Sequence, residues 1–523
     1  MRRFLFWGAL LSCLGLFYLK GLPPLPPNLR LPVLESARSI VFLLPEEPPA
    51  LDPANASGIP AAQVLSCLYE GLVRLAPGSP LKAEPCLSTR WEVSADGLQW
   101  TFYLRPGVFF HDGTPLDAEA VKFNVERAME GRTRSPYAVF IYGAVRSVET
   151  VDRLTVRFNL KYPYAPFLYN LAMPAASLVS PQAAMKGGEN FWRLPSGTGP
   201  FMLEKWSPGE ITVKANPHYW GEKPGISRIT FRAVAEPQAR AQMLLSRRAH
   251  LAAGILPGDF SALEDKGFQI LQGPGLNVSY LGFYTHKGPF RSKNVRRAAL
   301  LTCNPREIAE RLFPDMTVAA KGPLPPGVLG FEQTPEPPEP SPEKARRELA
   351  AAGYTREINI TLLAYAEPRP YNPAGGEKLA GLIAEQLRRA GFNCTVRVYP
   401  WEEFKKALAR QEGDAFIFGW TSDNGDPDNF LYPLFSSEQV ATGFNTTRYS
   451  NTRVDTLLVT AQQAVDEEVR ARIYGYVLQI IGEDVPAVFL HHGLYTLAVS
   501  GNLKGVMLSP QGLAFLNNAR MIK

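Results

Sequence analysis

INITLLAYA (358–366), GEKLAGLIAEQLRRAGF (376–392), CTVRVYP (394–400), WEEFKKALARQEG (401–413) and DAFIFGW (414–420) follow one another with little between them. The first, third and fifth are apolar runs of strand length. The second and fourth are longer and carry apolar residues at helical spacing, with Leu379, Leu382, Ile383 and Leu387 on one stripe. This alternation predicts β-α-β-α-β, a parallel sheet with covering helices. In open α/β sheets, ligands bind outside the carboxyl ends of the strands. Two loops leave such ends in the same sense: EPRPYNP, with Arg369, and TSDNGDPDN, with Asp423. If their strands share the sheet, a cation and an anion face one crevice. There they either neutralise each other or hold the two ends of a zwitterion.

The second loop carries Asp423, Asp426 and Asp428 directly after an apolar run, and buried carboxylates need a compensating partner. A calcium loop is a poor match, because Gly425 stands where a ligand belongs and no closing Glu follows at the required distance. Paired catalytic carboxylates would need a second acid motif, and no nucleophile elbow or histidine constellation accompanies them. The sequence therefore predicts no metal site and no catalytic residue. Asp426 and Asp428 suit capping of the next turn or helix. Asp423, immediately after the strand, is the candidate for the crevice. Trp420 beside it either lines a pocket or ends the strand in the core. The paired His491 and His492 lie in PAVFLHHGLYTLAV (486–499), a strand-like run, and read as packed or solvated rather than as ligands to haem or nickel.

A chain of 523 residues is too long for one core and predicts two or three domains. Its formal charge of +6 falls to +3 once the leader residues Arg2, Arg3 and Lys20 are set aside, which argues against a nucleic-acid partner. Those cations flank an uncharged, mostly apolar run from Phe4 to Leu19, the pattern of a signal peptide or membrane anchor over residues 1–20. Leu10-Leu11-Ser12-Cys13 also fits a lipobox. Residues 21–38 form a Pro-rich linker that would hold the body off a membrane. The other cysteines, Cys67, Cys86, Cys303 and Cys394, lack zinc spacing and read as buried free thiols. WTFYLRPGVFFHDGTPL (100–116) predicts a strand, a Pro-Gly turn and a second short strand. Helices are predicted over 117–130, with Val121, Phe123, Val125 and Ala128 inward, and over 289–313 with a break at Asn304-Pro305. Another begins at Ser341, as N-cap, with Pro342 in the first turn. The Pro-rich stretch 323–345 before it reads as a surface loop.

Longer blocks carry a resemblance. LSTRWEVSADGLQWTFYLRPGVFFHDGTPLDAEAVKFN (87–124), SGTGPFMLEKWSPG (196–209), NPHYWGEKP (216–224), GPFRSKNVRRAAL (288–300), SPEKARRELAAAGY (341–354) and GWTSDNGDPDNFL (419–431) stand in the order of a known family. The chain resembles the extracellular solute-binding proteins of family 5, the dipeptide- and oligopeptide-binding components of ABC transporters. The resemblance implies an α/β, two-lobe, periplasmic-binding-protein-like (class II) fold that closes on ligand like a hinge. Lobe I would span 39–284 with an inserted subdomain near 80–190, lobe II 285–484, and residues 485–523 would return to lobe I. It implies an extracytoplasmic, membrane-tethered monomer without cofactor or catalysis, delivering a short peptide to an ABC permease. RPYNP is similar to the dipeptide-binding version of its loop, which gives Arg369 the peptide α-carboxylate and Asp423 the α-ammonium. ASGIP, with Ser57 and Gly58, resembles the lobe I contact segment. The family also includes binders of glutathione, haem and nickel complexes, and a tethered sensor or chaperone-like binder is a rival of another class.

Overall fold

The computed structural model describes residues 38–522, apart from 56, 79 and 132–134. The expected leader with Cys13, and the linker up to residue 37, lie outside the described residues. No helix among the described residues is long and apolar enough to cross a membrane.

Twelve strands form one sheet among the described residues. In chain order they are β1 (Ser39–Leu44), β2 (Phe201–Ser207), β3 (Glu210–Ala215), β4 (Arg228–Ala233), β5 (Leu251–Ala253), β6 (Phe268–Pro274), β7 (Asn277–Phe283), β8 (Thr317–Ala319), β9 (Ile358–Tyr365), β10 (Phe392–Tyr399), β11 (Ala415–Thr421) and β12 (Ala487–Ser500). The spatial order is β10-β9-β11-β7-β12-β5-β1-β4-β3-β2, with β6 and β8 also on β12. Both β10 and β11 run parallel to β9, as the opening stretch predicts.

The 14-residue β12 belongs to both halves of the sheet. Its first part, Ala487 to His491, pairs with β7, and its last part, Leu494 to Ser500, with β6. The chain crosses between the halves twice, at Gly275–Asn277 and at His492–Gly493. The crossings are tied together: Gly275 N–H donates to Gly493 O at 2.9 Å, and Gly493 N–H to Asn277 Oδ1 at 2.7 Å.

The helices that position the site are α1 (Ile59–Leu68), α2 (Gly376–Arg388), α3 (Trp401–Ala409), α4 (Asp428–Phe435), α5 (Thr452–Gln463) and α6 (Glu467–Asp484). Leu379, Ile383 and Leu387 of α2 are at most 1% exposed, which confirms the stripe. Each such side chain contributes ~1.5–3 kcal/mol on burial. A separate four-stranded antiparallel sheet, Ser88–Val93, Gln99–Leu104, Thr155–Leu160 and Val145–Asp152 in spatial order, has its own core around Trp100, Phe102 and Phe158.

Two of the long sequence blocks meet at one buried carboxylate. Glu70 accepts hydrogen bonds from Thr198 Oγ1 (2.8 Å), Tyr219 OH (2.8 Å) and Trp220 Nε1 (2.7 Å). Those motif residues join the subdomain to the main sheet.

Most local expectations hold. Asp117 caps Ala118–Met129, Asn304 caps Pro305–Leu312, and Ser341 Oγ accepts from Lys344 N. Phe123 is only half-buried and packs against the neighbouring core. The four cysteines are free and buried. The second strand expected after the Pro-Gly turn does not form, and only an isolated bridge joins Phe109 to Pro115. Phe109 points outward at 47% exposure, and Gly113, at φ 85°, turns the chain before a run can develop.

Candidate functional site

Arg369 sits in a four-residue turn beyond the carboxyl end of β9. Its N–H donates to Asn372 O (3.0 Å) and its carbonyl accepts from Asn372 N (2.8 Å). Asn372 Nδ2 donates to Tyr365 OH (2.9 Å), and His491 Nε2–H donates to Tyr371 O (2.8 Å). The turn straddles the sheet edge. On one side the ring of Tyr371 fills the place where Gly419 lacks a side chain, since a Cβ there would lie 2.2 Å from Tyr371 Cδ2. On the other side the Arg369 guanidinium lies over Trp401, its Cζ 3.5 Å from the ring centroid. The residue is half-buried, its Nε is enclosed without a hydrogen-bond partner, and no carboxylate pairs with it among the described residues.

Alternation along β11 puts Phe418 and Trp420 on the face that carries Trp401. Phe418 stacks on Trp401 at 5.9 Å, while Trp420 meets Phe444 edge-on at 5.6 Å. Phe444 is 52% exposed, and Trp420 Nε1 is enclosed and unpartnered. Trp420 thus ends the strand half-buried, next to open space.

Asp423 follows two residues after β11. Water reaches it, yet protein crowds its carboxyl, and that burial raises its pKa. No hydrogen bond or ion pair to the side chain exists among the described residues, and Arg369 and Asp423 do not bridge each other. Its charge contributes to raising the pKa of both Tyr137 and Tyr495, behind the burial that dominates each. Gln511 Nε2 donates to its backbone carbonyl at 3.3 Å.

The other two aspartates turn inward. Asp426 is 0% exposed and binds Arg470 through both oxygens, at 2.8 and 2.9 Å. It also accepts from Asp428 N (2.9 Å) at the start of α4, the expected cap. Asp428, expected as a second cap, caps nothing. It is buried, accepts from Gln462 Nε2 (2.9 Å), and Tyr164 OH donates to it at 3.4 Å. Burial, and then the neighbouring Asp426 charge, push its pKa up to about 7. Arg470 is the partner that the sequence reading missed. Its signal was present: Arg470, Tyr474, Val477, Leu478 and Ile481 form the buried stripe of α6, an arginine among apolar side chains.

This loop also meets the small subdomain. Asn424 Nδ2 donates to Asn170 Oδ1 (2.7 Å), and outside the loop Ala165 N donates to Gln462 O of α5 (2.6 Å) and Leu81 N to Gly327 O (2.9 Å). His491 and His492 are packed at the crossing, the latter's Nδ1–H donating to Asn277 O at 2.7 Å. Burial lowers their pKa values to about 3 and about 4, so both imidazoles are neutral.

Ser57 and Gly58 are exposed just before α1, with Gly58 at φ 85°. No hydrogen bond joins them to Arg369 or Asp423 among the described residues. A chain of contacts leads toward the loop: Gln63 of α1 exchanges hydrogen bonds with the backbone of Ala514, and nearby Gln511 holds the Asp423 carbonyl. A cavity of about 1130 Å³ lies elsewhere, under the strap Thr334–Pro340, and includes neither charged candidate. Among the described residues no group of three or more His, Cys, Asp or Glu could hold a metal ion.

Comparison with known proteins gives consistent matches. The family described as bacterial extracellular solute-binding proteins, family 5, matches residues 82–442. A dipeptide-binding protein of Escherichia coli (strain K12) is 30% identical, covering 92% of this chain and 94% of that one. The solved structure of HbpA2 from Haemophilus parasuis superposes with a TM-score of 0.86 at 28% identity, over 93% of this chain and 100% of the other. A dipeptide-binding protein from Pseudoalteromonas sp. SM9913, in complex with Met-Leu, gives 0.73 at 27% identity, over 92% and 100%.

Proposed function

Because the chain belongs to the bacterial extracellular solute-binding proteins of family 5, with their two-lobe fold, we propose that it captures a dipeptide or similar short peptide outside the membrane and hands it to the permease of an ABC importer. The observation that carries this reading is the pair of opposite charges, Arg369 and Asp423, left unpaired among the described residues at the carboxyl ends of β9 and β11. A zwitterion completes both. Its carboxylate meets the planar guanidinium, and its ammonium meets the Asp423 carboxylate, which no protein cation neutralises among the described residues. Two peptide units extend to at most ~7 Å, so a fixed Arg369-to-Asp423 separation selects ligand length. Trp420 walls the side-chain pocket, and backbone groups near Ser57 and Gly58 complete the site from lobe I. The dipeptide-binding relative and the Met-Leu complex support this ligand class.

In this reading the sheet crossings are the hinge. Lobe II runs between them, from Asn277 to about His491, a little wider than 285–484. The leader or a lipid on Cys13 tethers a monomer, and the protein transforms nothing that it binds.

Isothermal titration of the purified protein, freed of ligand by partial unfolding and refolding, tests the proposal. Met-Leu, its N-acetyl derivative and glutathione are the titrants. Binding of Met-Leu that is lost on acetylation supports the ammonium-to-Asp423 contact. Binding of glutathione alone keeps the charge pair and changes the substrate. Silence from all three removes the peptide reading, and haem or a nickel complex is then the next titrant. Ion pairing must also pull the raised pKa of Asp423 back down, so binding at acid pH releases protons and weakens as pH falls through that raised pKa.

A further inference from the structure

Arg369 could have been braced by a carboxylate, yet an aromatic face does it. Trp401 opens α3, and its ring is fixed by Phe404 (5.9 Å, 26°), Phe418 (5.9 Å, 28°) and Tyr365 edge-on (5.5 Å, 84°). The guanidinium lies against that ring with Cζ 3.5 Å from its centroid. Stacking fixes the plane of a guanidinium while consuming none of its N–H groups. A carboxylate brace would instead occupy the same donors that a ligand needs. Because Nε is enclosed and unpartnered, the Nη edge is what remains to face a ligand.

We propose that Trp401 is a positioning residue for ligand binding: it holds Arg369 in the plane that accepts a carboxylate end-on, and so sets the preference for a free peptide carboxyl terminus. The inference rests on the reading that Arg369 takes the ligand carboxylate. Trp401 itself touches no ligand; it acts through the guanidinium. The stack also keeps the cation in place when the site is empty, so ordering of a long side chain is not charged against binding.

The test compares Met-Leu with Met-Leu amide, which lacks the anionic terminus, by isothermal titration. The variants are Trp401→Met, which removes the π face and leaves a smaller, flexible apolar side chain, Trp401→Phe, which keeps a smaller π face, Arg369→Met, and the double variant. Trp401→Met is expected to weaken Met-Leu about tenfold while amide affinity changes less than about twofold, so that the acid-over-amide preference collapses. Trp401→Phe should retain most of that preference. In the Arg369→Met background, Trp401→Met should add less than about twofold, the signature of two residues acting as a unit. Equal loss for acid and amide, or an undiminished effect of Trp401→Met without Arg369, overturns the proposal and leaves Trp401 as core. If Arg369→Met leaves the preference intact, the reading of Arg369 itself falls, and the proposal with it. Should Trp401→Met fail to fold, as seen by far-UV circular dichroism, the Phe variant decides. A selective loss for the acid supports the proposal and an equal loss overturns it.

Discussion

Two aspartates three residues apart meet opposite fates. Asp426 is sealed in the core and bound by both oxygens to Arg470, whereas the Asp423 carboxylate, at the mouth of the same loop, has no hydrogen-bond or ion-pair partner among the described residues. Arg369, beyond the carboxyl end of the neighbouring β9, likewise has no carboxylate partner among the described residues. One Asp/Arg couple is finished when the chain folds, and the other, in the proposed reading, is completed by a ligand. The difference lies in reach. α6 carries Arg470 on its apolar stripe directly against Asp426, while Arg369 is drawn onto Trp401 and away from any carboxylate. The comparison teaches that aspartate density says little by itself; which cations the fold delivers decides between stability and binding.

Isosteric neutralisation is the sharpest way to break this contrast. Asp426→Asn strands the Arg470 charge in the core and is expected to cost ~3–5 kcal/mol of unfolding free energy, read by urea denaturation. Asp423→Asn should leave unfolding within ~0.5 kcal/mol of the parent, as for a surface change. Its effect appears instead in titration with Met-Leu, as a loss of ~2–4 kcal/mol in binding free energy, within the range for a charge partner removed. If the two variants traded effects, the assignment of the open and closed couples would be reversed.

The third aspartate gives a pH-dependent contrast. Asp428 has a folded pKa raised from 3.8 to about 7, so the folded state holds the proton more tightly than the unfolded chain. Its favourable contribution is present below pH 3.8 and is lost as pH rises through about 7. Asp428→Asn removes that loss and should raise stability by ~1–3 kcal/mol at pH 8, with almost no change at pH 4. The histidines at the crossing act in the other direction. Their pKa values are depressed from 6.5 to about 3 and about 4, so their contribution is present above pH 6.5 and fades as pH falls toward those values. Parallel denaturation series at pH 4, 6 and 8 separate the two. Asn170→Ala removes the hydrogen bonds to Asn424 and to Phe140 O, leaves those buried groups bare and is expected to cost ~1–3 kcal/mol. A larger loss of Met-Leu affinity than of stability would show that the subdomain helps to hold the Asp423 loop in its binding position.

Much of the binding half was legible in the sequence because its signals are local. The boundaries of β9, α2, β10, α3 and β11 follow hydrophobic period and turn residues to within a few positions. Asn304 and Ser341 cap helices because a short polar side chain before a Pro-initiated helix can do little else. What was not legible depends on distant neighbours. A pattern of apolar residues announces β12 as a strand, but says nothing of its pairing with β7 at one end and β6 at the other. Arg470 lies 44 positions from Asp426, and no local rule links them. Phe109 misled because an aromatic pair after a turn has strand character whether or not another strand lies alongside. Arg369 and Asp423 were visible as loop charges; the aromatic bed under Arg369 needed Trp401 and Phe418 brought together from separate elements.

The dual membership of β12 also bears on how the molecule is made. β6 has no neighbour in the sheet until Leu494 to Ser500 arrive, and Gln63 waits for Ala514, 451 positions later. A chain emerging from its amino terminus therefore cannot complete its first half before nearly the last residue is available. Contacts this remote in sequence make folding slow. A protein destined for the far side of a membrane gains from that delay, because it remains threadable until the whole of it has been synthesised.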